Sequence, residues 1–406
     1  MRRAVICGAG IAGLALANRL STTGWDVVVL ERSPGPRPQG YMIDFFGAGY
    51  DAAEAMGIAP RVHELGYHVH EAAFVGADGR VRGRLRYDQF ADVVGGRLVS
   101  IMRPDLELAL RESLPAGVRI RYGCSPARVD DTGADGVRVT LDDGEELAAD
   151  LLVGADGIHS AVRAMVFGPE RAYPRPLGFH TAAFSFEEPA LHARVRGRFH
   201  LTDTIDRQVG LYGLRDDRVA VFAVHRTDDA TLPQDPRAAV RAEYGSLGWV
   251  VPEALASCPP AQEVYYAQVA QVVMPSWHRG RVVLVGDACY AVSLLAGQGA
   301  SLGIAGAFVL ADQLHRAPTL GAALAAYERL WRPVAEEKQQ VARGAVRWFL
   351  PHGTAELWVR RGMLALSRVP GLDRVIGSAL AGKTTTVVTE LRRQQAGSDS
   401  SAARAT

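Results

Sequence analysis

The chain has 406 residues with 45 basic and 44 acidic side chains, which leaves a formal net charge of +1. This balance gives no electrostatic support for a nucleic-acid partner, and a hydrophobic content of 48% is enough for two or three packed units. Four scattered cysteines without metal-ligand spacing predict reduced thiols in a cytoplasmic protein with no metal site, and no stretch stays apolar for long enough to predict a transmembrane segment.

The first predicted elements, over residues 4–31, are a strand, a glycine turn, a helix and a second strand. Gly8 allows a sharp turn, Gly10 lets backbone N–H groups approach a pyrophosphate at the helix N-terminus, and Gly13 allows close helix–strand packing. Glu31 follows about 20 residues later, where a carboxylate accepts hydrogen bonds from ribose hydroxyls and disfavours a 2′-phosphate. This unit predicts a dinucleotide site, but by itself it does not distinguish NAD from FAD.

The middle of the chain predicts a second unit made mainly of antiparallel strands. Residues 71–100 predict a hairpin around Gly76–Gly79. Further strand candidates are residues 180–186, 194–201, 208–214 and 218–226. Because polar and apolar residues alternate poorly over 219–224, we expect that strand to be buried on both faces.

Two later junctions each place an aspartate after an apolar strand. Asp156 follows residues 149–154, and Asp287 follows residues 281–285, before a helix over 302–314. Each aspartate has an alternative role as a helix cap. If these junctions and the first glycine turn serve one ligand, the cofactor domain must be discontinuous in sequence. The predicted divisions are a cofactor domain (1–70, 101–170 and 276–340), a substrate domain (71–100 and 171–275), a C-terminal helical segment (341–394) and a disordered tail (395–406).

The C-terminal part predicts helices. Residues 320–350 predict one helix with a kink or break at Pro333, and residues 354–366 predict an amphipathic helix. Such a unit can brace the two domains, seal a cavity, or pack against a second subunit or a membrane face. The pattern does not choose among these roles, and a monomer and a homodimer both remain open.

Several segments together carry a resemblance to a known family. They are the turn at residues 8–13, Glu31-Arg32, Asp156-Gly157, Gly286-Asp287 and Gly297-Gln298-Gly299. The chain resembles the class A flavin-dependent monooxygenases, the para-hydroxybenzoate hydroxylase-like family that includes aromatic polyketide hydroxylases and tetracycline-degrading oxygenases. The resemblance implies an α/β fold: an FAD-binding Rossmann-type, glutathione reductase-like domain, an inserted and mainly antiparallel β-sheet substrate domain, and C-terminal helices.

The resemblance also implies a set of cofactor contacts. The residues are Gly8, Gly10, Ala12, Gly13, Glu31, Arg32, Gly40, Arg103, Val129, Asp156, Asp287, Gly297, Gln298, Gly299 and Ala300. In the family, Asp287 meets the ribitol or pyrophosphate region of FAD, and Arg103 reaches the flavin from its helix. Asp156 supports the cofactor and the approach of the nicotinamide, and Val129 contacts the adenine through its backbone. The helix that opens at residues 297–300 would point backbone donors at the flavin, where reduction leaves negative charge.

The candidate substrate pocket and the departures from the family pattern lie near this cofactor site. The pocket candidates are Phe46, Tyr212, Phe222 and Leu294. The departures are Tyr290, Leu294 and Ser301, where the family usually has His, Pro and Asn. We assign no general base, because His159, His200, His225 and His278 have no recognisable partner in the sequence.

The implied function is hydroxylation of an aromatic or polycyclic secondary metabolite through a flavin hydroperoxide. FAD is the cofactor, molecular oxygen the co-substrate, and NADPH or NADH the transient reductant. Two alternatives remain: an FAD-containing cyclase or rearrangement enzyme with no net oxidation, and a non-catalytic flavin-containing ligand-binding protein. The three departures would suit a member that has lost or altered its redox role.

Overall fold

The computed structural model describes residues 1–133, 136–293, 297–366 and 385–404. The strands are β1 (Arg3–Cys7), β2 (Asp26–Glu31), β3 (Met42–Phe46), β4 (Glu71–Val75), β5 (Val81–Arg86), β6 (Leu98–Met102), β7 (Arg119–Tyr122), β8 (Pro126–Asp131), β9 (Val137–Leu141), β10 (Glu146–Ala149), β11 (Leu151–Gly154), β12 (Pro174–Glu187), β13 (Arg198–Thr202), β14 (Arg207–Gly213), β15 (Arg218–Arg226), β16 (Tyr265–Val272), β17 (His278–Arg279) and β18 (Val282–Leu284). The helices are α1 (Ile11–Thr22), α2 (Ala48–Ala55), α3 (Ala59–Leu65), α4 (Tyr87–Val93), α5 (Arg103–Glu112), α6 (Ala161–Val166), α7 (Pro189–Val195), α8 (Pro236–Tyr244), α9 (Val251–Ala256), α10 (Asp287–Tyr290), α11 (Gly299–Arg316), α12 (Leu320–Phe349), α13 (Thr354–Leu366) and α14 (Val387–Arg404).

A parallel sheet forms the first half of the architecture. Its strand order is β17-β18-β11-β1-β2-β7, and every neighbouring pair is parallel except β17–β18. The central strands are almost continuously apolar and buried, which is typical of a parallel sheet covered on both faces. The strand, helix and strand predicted over residues 4–31 are confirmed as β1, α1 and β2.

A mainly antiparallel sheet forms the second half, in the order β16-β12-β15-β14-β13-β4-β5. The hairpin predicted around Gly76–Gly79 is confirmed as β4 and β5, and β4 joins this sheet through a parallel pairing with β13. The rest of the predicted range, 71–100, instead forms α4 and the start of β6. The strand predicted from residue 194 begins instead at Arg198, because α7 occupies Pro189–Val195. A proline in its first turn favours that helix, since proline fixes φ and needs no N–H acceptor there.

The two faces of this sheet have different partners. On β15, Val219, Val221 and Ala223 pack in one cluster with side chains of α7, α8 and α9. Their neighbours Ala220 and Phe222 point to the opposite side, which we call the inner face. The expectation that this strand is buried on both faces is confirmed by its burial pattern.

A two-stranded ribbon, β3 paired antiparallel with β6, lies against the inner face. Ile43 and Phe45 point into the main core, whereas Met42 belongs to the cluster around Tyr212 on the inner face. The backbone N–H of Met42 donates a hydrogen bond of 2.6 Å to the Tyr212 hydroxyl. The ribbon therefore links the two halves of the fold.

The C-terminal helices differ from the sequence expectations at two points. Helix α12 runs through Pro333 without ending, and α13 has the predicted bounds. The tail predicted to be disordered from residue 395 continues α14 as far as Arg404, in a segment that contains no proline. None of the helices in the described part of the chain is both long and apolar enough to cross a membrane.

Two buried histidines of the antiparallel sheet predict a loss of stability in acid. Burial, with Arg198 nearby, lowers the pKa of His200 to about 4, and burial, with His180 nearby, lowers the pKa of His225 to about 4. Between pH 6.5 and about 4 these two histidines are protonated in the unfolded chain but remain neutral in the folded protein. The free energy of unfolding therefore decreases as the pH falls through that range. Allowing for partial hydration, we expect about 2 kcal/mol from each histidine.

The measurement is urea unfolding as a function of pH. Other groups also titrate in this range, so the quantity to compare is the difference between the wild type and a His200→Gln/His225→Gln double variant. The double variant should lose less stability between pH 6.5 and 4, and the exposed control His315→Gln should follow the wild type. Equal losses in the wild type and the double variant would contradict the assignment.

Candidate functional site

Three polar turns meet at one edge of the parallel sheet. Gly8 follows β1, Asp156 follows β11, and Gly286-Asp287 follow β18. Because these strands are adjacent and parallel, their carboxyl ends lie at the same edge. In open α/β sheets, ligands bind outside the carboxyl ends of the strands, at the point where the strand order reverses. The structure therefore brings together segments that are more than a hundred residues apart in sequence.

The first turn requires glycine for close backbone packing. Gly8 has a φ of +108°, and a Cβ added there would lie 2.4 Å from the carbonyl oxygen of Ala155. A Cβ on Gly13 would lie 1.9 Å from the carbonyl oxygen of Gly8. Gly10 is the N-cap of α1 and has no side chain with which to cap the helix. The first backbone N–H groups of α1 are therefore available to an anion.

Glu31 lies beside this turn. Its two carboxylate oxygens accept hydrogen bonds of 2.9 Å from the backbone N–H groups of Ala9 and Ser33. Burial alone would raise the pKa of Glu31, but the hydrogen bonds from Ser33 and Ala9 outweigh it and hold the pKa below its usual value. A charged acceptor thus stands at the end of β2, where the sequence predicts the ribose contact.

The third turn packs directly on the first. Gly286 has a φ of +67°, and a Cβ there would lie 2.8 Å from the Cβ of Ala12. Asp287 lies near the start of α11, since its Oδ1 is 3.7 Å from the position of a Cβ on Gly299. The N-cap of α11, Gln298, makes no side-chain cap hydrogen bond, and the first turn contains no acidic residue. The positive ends of α1 and α11 therefore lie near the same cleft.

Arg103 adds a positive charge to the cleft. It begins α5 and forms an ion pair of 2.6 Å with Glu107, and its Nη2 is 3.8 Å from the position of a Cβ on Gly10. Burial disfavours the charged guanidinium, but Glu107 and the other nearby acidic groups raise the pKa of Arg103 overall. Burial raises the pKa of Asp287, against the opposing charge of Arg103. Arg103 and Asp287 both keep solvent-accessible surface although many protein atoms surround them, as expected for residues that line a cleft.

Two tyrosines that the sequence reasoning did not single out line the same cleft. The ring of Tyr41 lies 5.7 Å from that of Tyr265 and 5.9 Å from that of Phe222, measured between centroids. Burial raises the pKa of both tyrosines, and both also feel the charges of Arg103 and Asp287. Tyr41 follows Gly40, a predicted cofactor contact, but no pattern in the sequence distinguishes Tyr265 from other strand aromatics.

Asp156 supports the start of a helix. Its carboxylate accepts hydrogen bonds from the Ser160 hydroxyl (2.5 Å) and the Val162 backbone N–H (3.1 Å) at the start of α6. Burial raises the pKa of Asp156, and these hydrogen bonds oppose the increase. The buried guanidinium of Arg163 then donates to the carbonyl oxygen of Ala288 at 2.8 Å, which ties this turn to the one that follows β18. Asp156 thus supports the N-terminus of α6, whose N-cap is Ser160, and a contact between Asp156 and the cofactor stays a prediction.

Other predicted cofactor residues are more dispersed. Arg32 is exposed, and Val129 lies half-buried on β8 of a separate three-stranded sheet. Gly40 allows close packing on α5, since a Cβ there would lie 2.7 Å from the Cδ of Pro104. Gly297 has a φ of +65°, and Ala300 is half-buried in the first turn of α11. For these residues a contact with the cofactor stays a prediction.

The pocket candidates are not equivalent. Phe222 is half-buried on the inner face and faces Tyr41, whereas Tyr212 is 2% exposed and occupied by its contact with Met42. Phe46 lies at the end of β3 and is 9% exposed. Leu294 lies outside the described residues.

Two of the departures from the family pattern point into packed regions. The ring of Tyr290 lies 4.8 Å from that of Trp277 in the main core. Ser301 packs against α2, where a Cβ on Gly49 would lie 2.3 Å from the Cα of Ser301. Within the described ranges, no three His, Cys, Asp or Glu side chains lie close enough together to hold a metal ion.

Comparisons with known proteins agree with this geometry. A family model described as an FAD binding domain matches residues 2–342. Monooxygenase CTB7 of Cercospora beticola is 29% identical over 405 residues, which cover 92% of this chain and 94% of that protein. The structure of tetracycline destructase Tet(55) superposes with a TM-score of 0.78 at 26% identity and covers 93% of this chain and 97% of that one. The structure of Klebsiella pneumoniae HpxO, complexed with FAD and uric acid, superposes with a TM-score of 0.75 and covers 94% of this chain and 97% of the HpxO chain. Because the sequence identity is only 22%, this likeness supports the fold alone. This chain belongs to the para-hydroxybenzoate hydroxylase-like family of FAD-dependent monooxygenases.

Proposed function

We propose that the protein hydroxylates an aromatic or polycyclic small molecule, using FAD, molecular oxygen and either NADPH or NADH. The observation that carries the proposal is a single cleft with two different walls. One wall is formed by the polar turns at the edge of the parallel sheet, and the other by the aromatic residues of the inner face. A cofactor and a planar substrate would therefore lie side by side.

The residues of the polar wall fit FAD. The free N–H groups at the start of α1 would hold the pyrophosphate, with Arg103 as a counter-charge, and Glu31 would accept hydrogen bonds from the ribose. The N-terminus of α11 would face the flavin ring. When bound and reduced by the nicotinamide, FAD supplies the activation of oxygen, which ends with one oxygen atom on an electron-rich carbon and the other in water.

The aromatic wall would hold the substrate. Tyr41, Phe222 and Tyr265 present ring faces and edges on which a planar molecule can stack, and they keep water away from the reacting atoms. We assign no general base among the described residues. Because no second glycine fingerprint is present in the sequence, the nicotinamide would bind only transiently.

The packing of Tyr290 removes one argument for the cyclase alternative. Its ring lies in the main core beside Trp277, with 2% of its surface exposed, so the substitution for the usual histidine does not reach the aromatic wall. Ser301 is likewise packed, at 6% exposure. These two departures therefore give no specific support for a lost redox role.

The test is turnover by the purified holoenzyme. We expect bound FAD, and NADPH or NADH consumption and oxygen uptake that increase when the right member of a panel of tetracyclines, uric acid and phenolic polyketides is added. Mass spectrometry should show a product heavier by one oxygen atom. A product of unchanged mass formed without reductant would favour the cyclase, and ligand binding without turnover would favour the binding protein.

Replacement of Arg103 tests the cofactor assignment. We expect Arg103→Met to weaken FAD binding by about tenfold to a hundredfold, because hydrogen bonds to a charged group are among the stronger ones. The measurement is titration of deflavinated protein with FAD, followed by flavin fluorescence. An Arg103→Met/Glu107→Gln variant should behave the same, which excludes the unpaired Glu107 as the cause, and Arg111→Met on the same helix serves as the matched control. Unchanged affinity in Arg103→Met would contradict the assignment.

A further inference from the structure

Strand β3 places a carboxylate on the cleft side of the ribbon. Successive side chains of a strand point to opposite faces, and Ile43 and Phe45 point into the main core. Asp44 therefore shares a face with Met42, which packs with Tyr212 and Phe222 on the inner face. Asp44 remains partly accessible although protein surrounds it on most sides. Its carboxylate thus lies on the side of the ribbon that faces the inner face.

The partners of Asp44 are neutral hydroxyls from two other elements. Ser100, directly opposite on β6, donates a hydrogen bond of 2.6 Å to Oδ1, and Tyr87, at the start of α4, donates one of 2.9 Å to Oδ2. A carboxylate has about four acceptor positions, so two are still free. Burial raises the pKa of Asp44, and only these two hydrogen bonds oppose the increase.

No positive charge compensates this carboxylate within the described residues. Its surroundings are largely apolar and aromatic: Tyr87 packs in a cluster with Phe74 and Phe199, and Tyr212 is close enough for its pKa to be affected by Asp44. An enclosed carboxylate without a cation is costly to maintain, and such groups concentrate at functional sites. If the group only tied β3 to β6 and α4, an asparagine could keep both contacts without the charge, because its Oδ1 can accept from one hydroxyl and its Nδ2 can donate to the other.

We propose that Asp44, held in place by Tyr87 and Ser100, is a recognition subsite for a hydrogen-bond donor on the substrate. The donor is a hydroxyl or a protonated amine on a short side chain of an aromatic ring. The free acceptor positions of the carboxylate bind the donor, and the aromatic residues of the inner face pack against the ring. The same charge disfavours substrates that carry a carboxylate at this end. This inference rests on the proposed function, because it assigns the donor to the substrate of the same cleft.

The test compares three matched ligands with the FAD-loaded protein in the absence of reductant. Benzylamine, benzyl alcohol and ethylbenzene share a phenyl ring with one methylene group and end in an ammonium, a hydroxyl and a methyl group. We expect benzylamine or benzyl alcohol to perturb the flavin absorbance with at least about tenfold higher affinity than ethylbenzene. Whichever of the two binds more tightly shows whether the subsite prefers an amine or a hydroxyl. A fragment of about eight non-hydrogen atoms can reach a millimolar Kd, so the failure of all three to bind near 1 mM would overturn the proposal.

Variants separate recognition from structure. Asp44→Asn should keep its FAD and lose most of the preference, leaving less than about a threefold difference between the ligands. Ser100→Ala, which keeps the charge but loosens its position, should reduce the preference partially. Asp51→Asn removes a carboxylate on α2 that pairs with Arg97 and should leave the preference unchanged. The wild-type preference in Asp44→Asn, or its loss in Asp51→Asn, would overturn the proposal. Because binding is measured without turnover, a failure of the proposed function is recognised separately, by the absence of substrate-stimulated nicotinamide oxidation.

Discussion

Gly13→Ala should yield a protein that retains less than about a tenth of the wild-type FAD and is destabilised by about 3 kcal/mol or more. The added Cβ would lie 1.9 Å from the carbonyl oxygen of Gly8 and 3.3 Å from the Cβ of Ala155. The first of these contacts is with backbone, which cannot rotate away as a long side chain can. The turn must therefore open, and the N–H groups that would hold the pyrophosphate move with it. Flavin absorbance relative to protein, together with urea unfolding, measures both effects.

Gly321→Ala is the matched control for this substitution. Gly321 lies in the first turn of α12, and a Cβ there would meet nothing within 4 Å. Alanine favours a helix over glycine by up to about 1 kcal/mol, so this variant should keep its FAD and be slightly more stable than the wild type. If Gly13→Ala contained as much FAD and were as stable as this control, the role assigned to the turn would be wrong.

Asp203→Ala should destabilise the fold by about 3–5 kcal/mol. The Asp203 side chain is fully buried and accepts hydrogen bonds of 2.6 Å from both Arg360 and Arg361 of α13. Arg360 is itself 1% exposed and lies over the ring of Phe74 at 4.8 Å. Removal of the carboxylate would leave a buried guanidinium without its counter-charge. We expect α13 to detach first, with a lower midpoint in urea and faster proteolysis within residues 354–366.

Two further variants define the origin of this effect. Asp203→Ala/Arg360→Met also replaces the buried guanidinium with an apolar side chain and should recover at least half of the lost stability. Asp88→Ala removes a carboxylate that is 57% exposed and pairs with the exposed Arg86, so its effect should stay below about 1 kcal/mol. A loss of less than 1 kcal/mol in Asp203→Ala would show that the buried ion pairs do not hold α13 in place.

The position of α13 bears on the alternatives left open for the C-terminal unit. Leu364 packs with Ala72, Phe74 and Leu201, and it closely approaches Gly83 of β5. The helix thus covers the β4–β5 end of the inner face. This contact attaches α13 to the antiparallel sheet, whereas bracing of the two domains, sealing of a cavity and contact with a second subunit or a membrane face remain hypotheses. The domain boundaries likewise stay a prediction.

The parts of the fold that the sequence predicted are those specified by local spacing. The glycines at positions 8, 10 and 13 and the acid at position 31 depend on one turn and its two flanking elements, so their arrangement follows from residues close in the chain. The hairpin at β4–β5 and the helix α13 were also predictable, because turn residues and helical periodicity are local signals. At Pro333 the prediction was a kink or a break, and the break is absent, because α12 continues through the one backbone hydrogen bond that proline cannot make.

Side-chain roles that depend on distant elements were not predictable. Asp156 and Asp287 both follow an apolar strand, yet one supports the N-terminus of α6 and the other faces the cleft beside Arg103. The difference arises from what packs around each turn. Tyr290 was a candidate for altered flavin chemistry until its contact with Trp277, thirteen positions earlier in the chain, placed it in the core.

By itself the sequence determined the dinucleotide unit, the family and several of the strands and helices, because turns and periodic patterns are encoded by neighbouring residues. Only the tertiary structure decided which face of β3 carries Asp44 toward the inner face, and that Tyr41 and Tyr265 meet in the cleft. Tyr41 and Tyr265 are more than two hundred positions apart in the chain. They depend on how the inner face packs against the ribbon, and no local pattern specifies that packing.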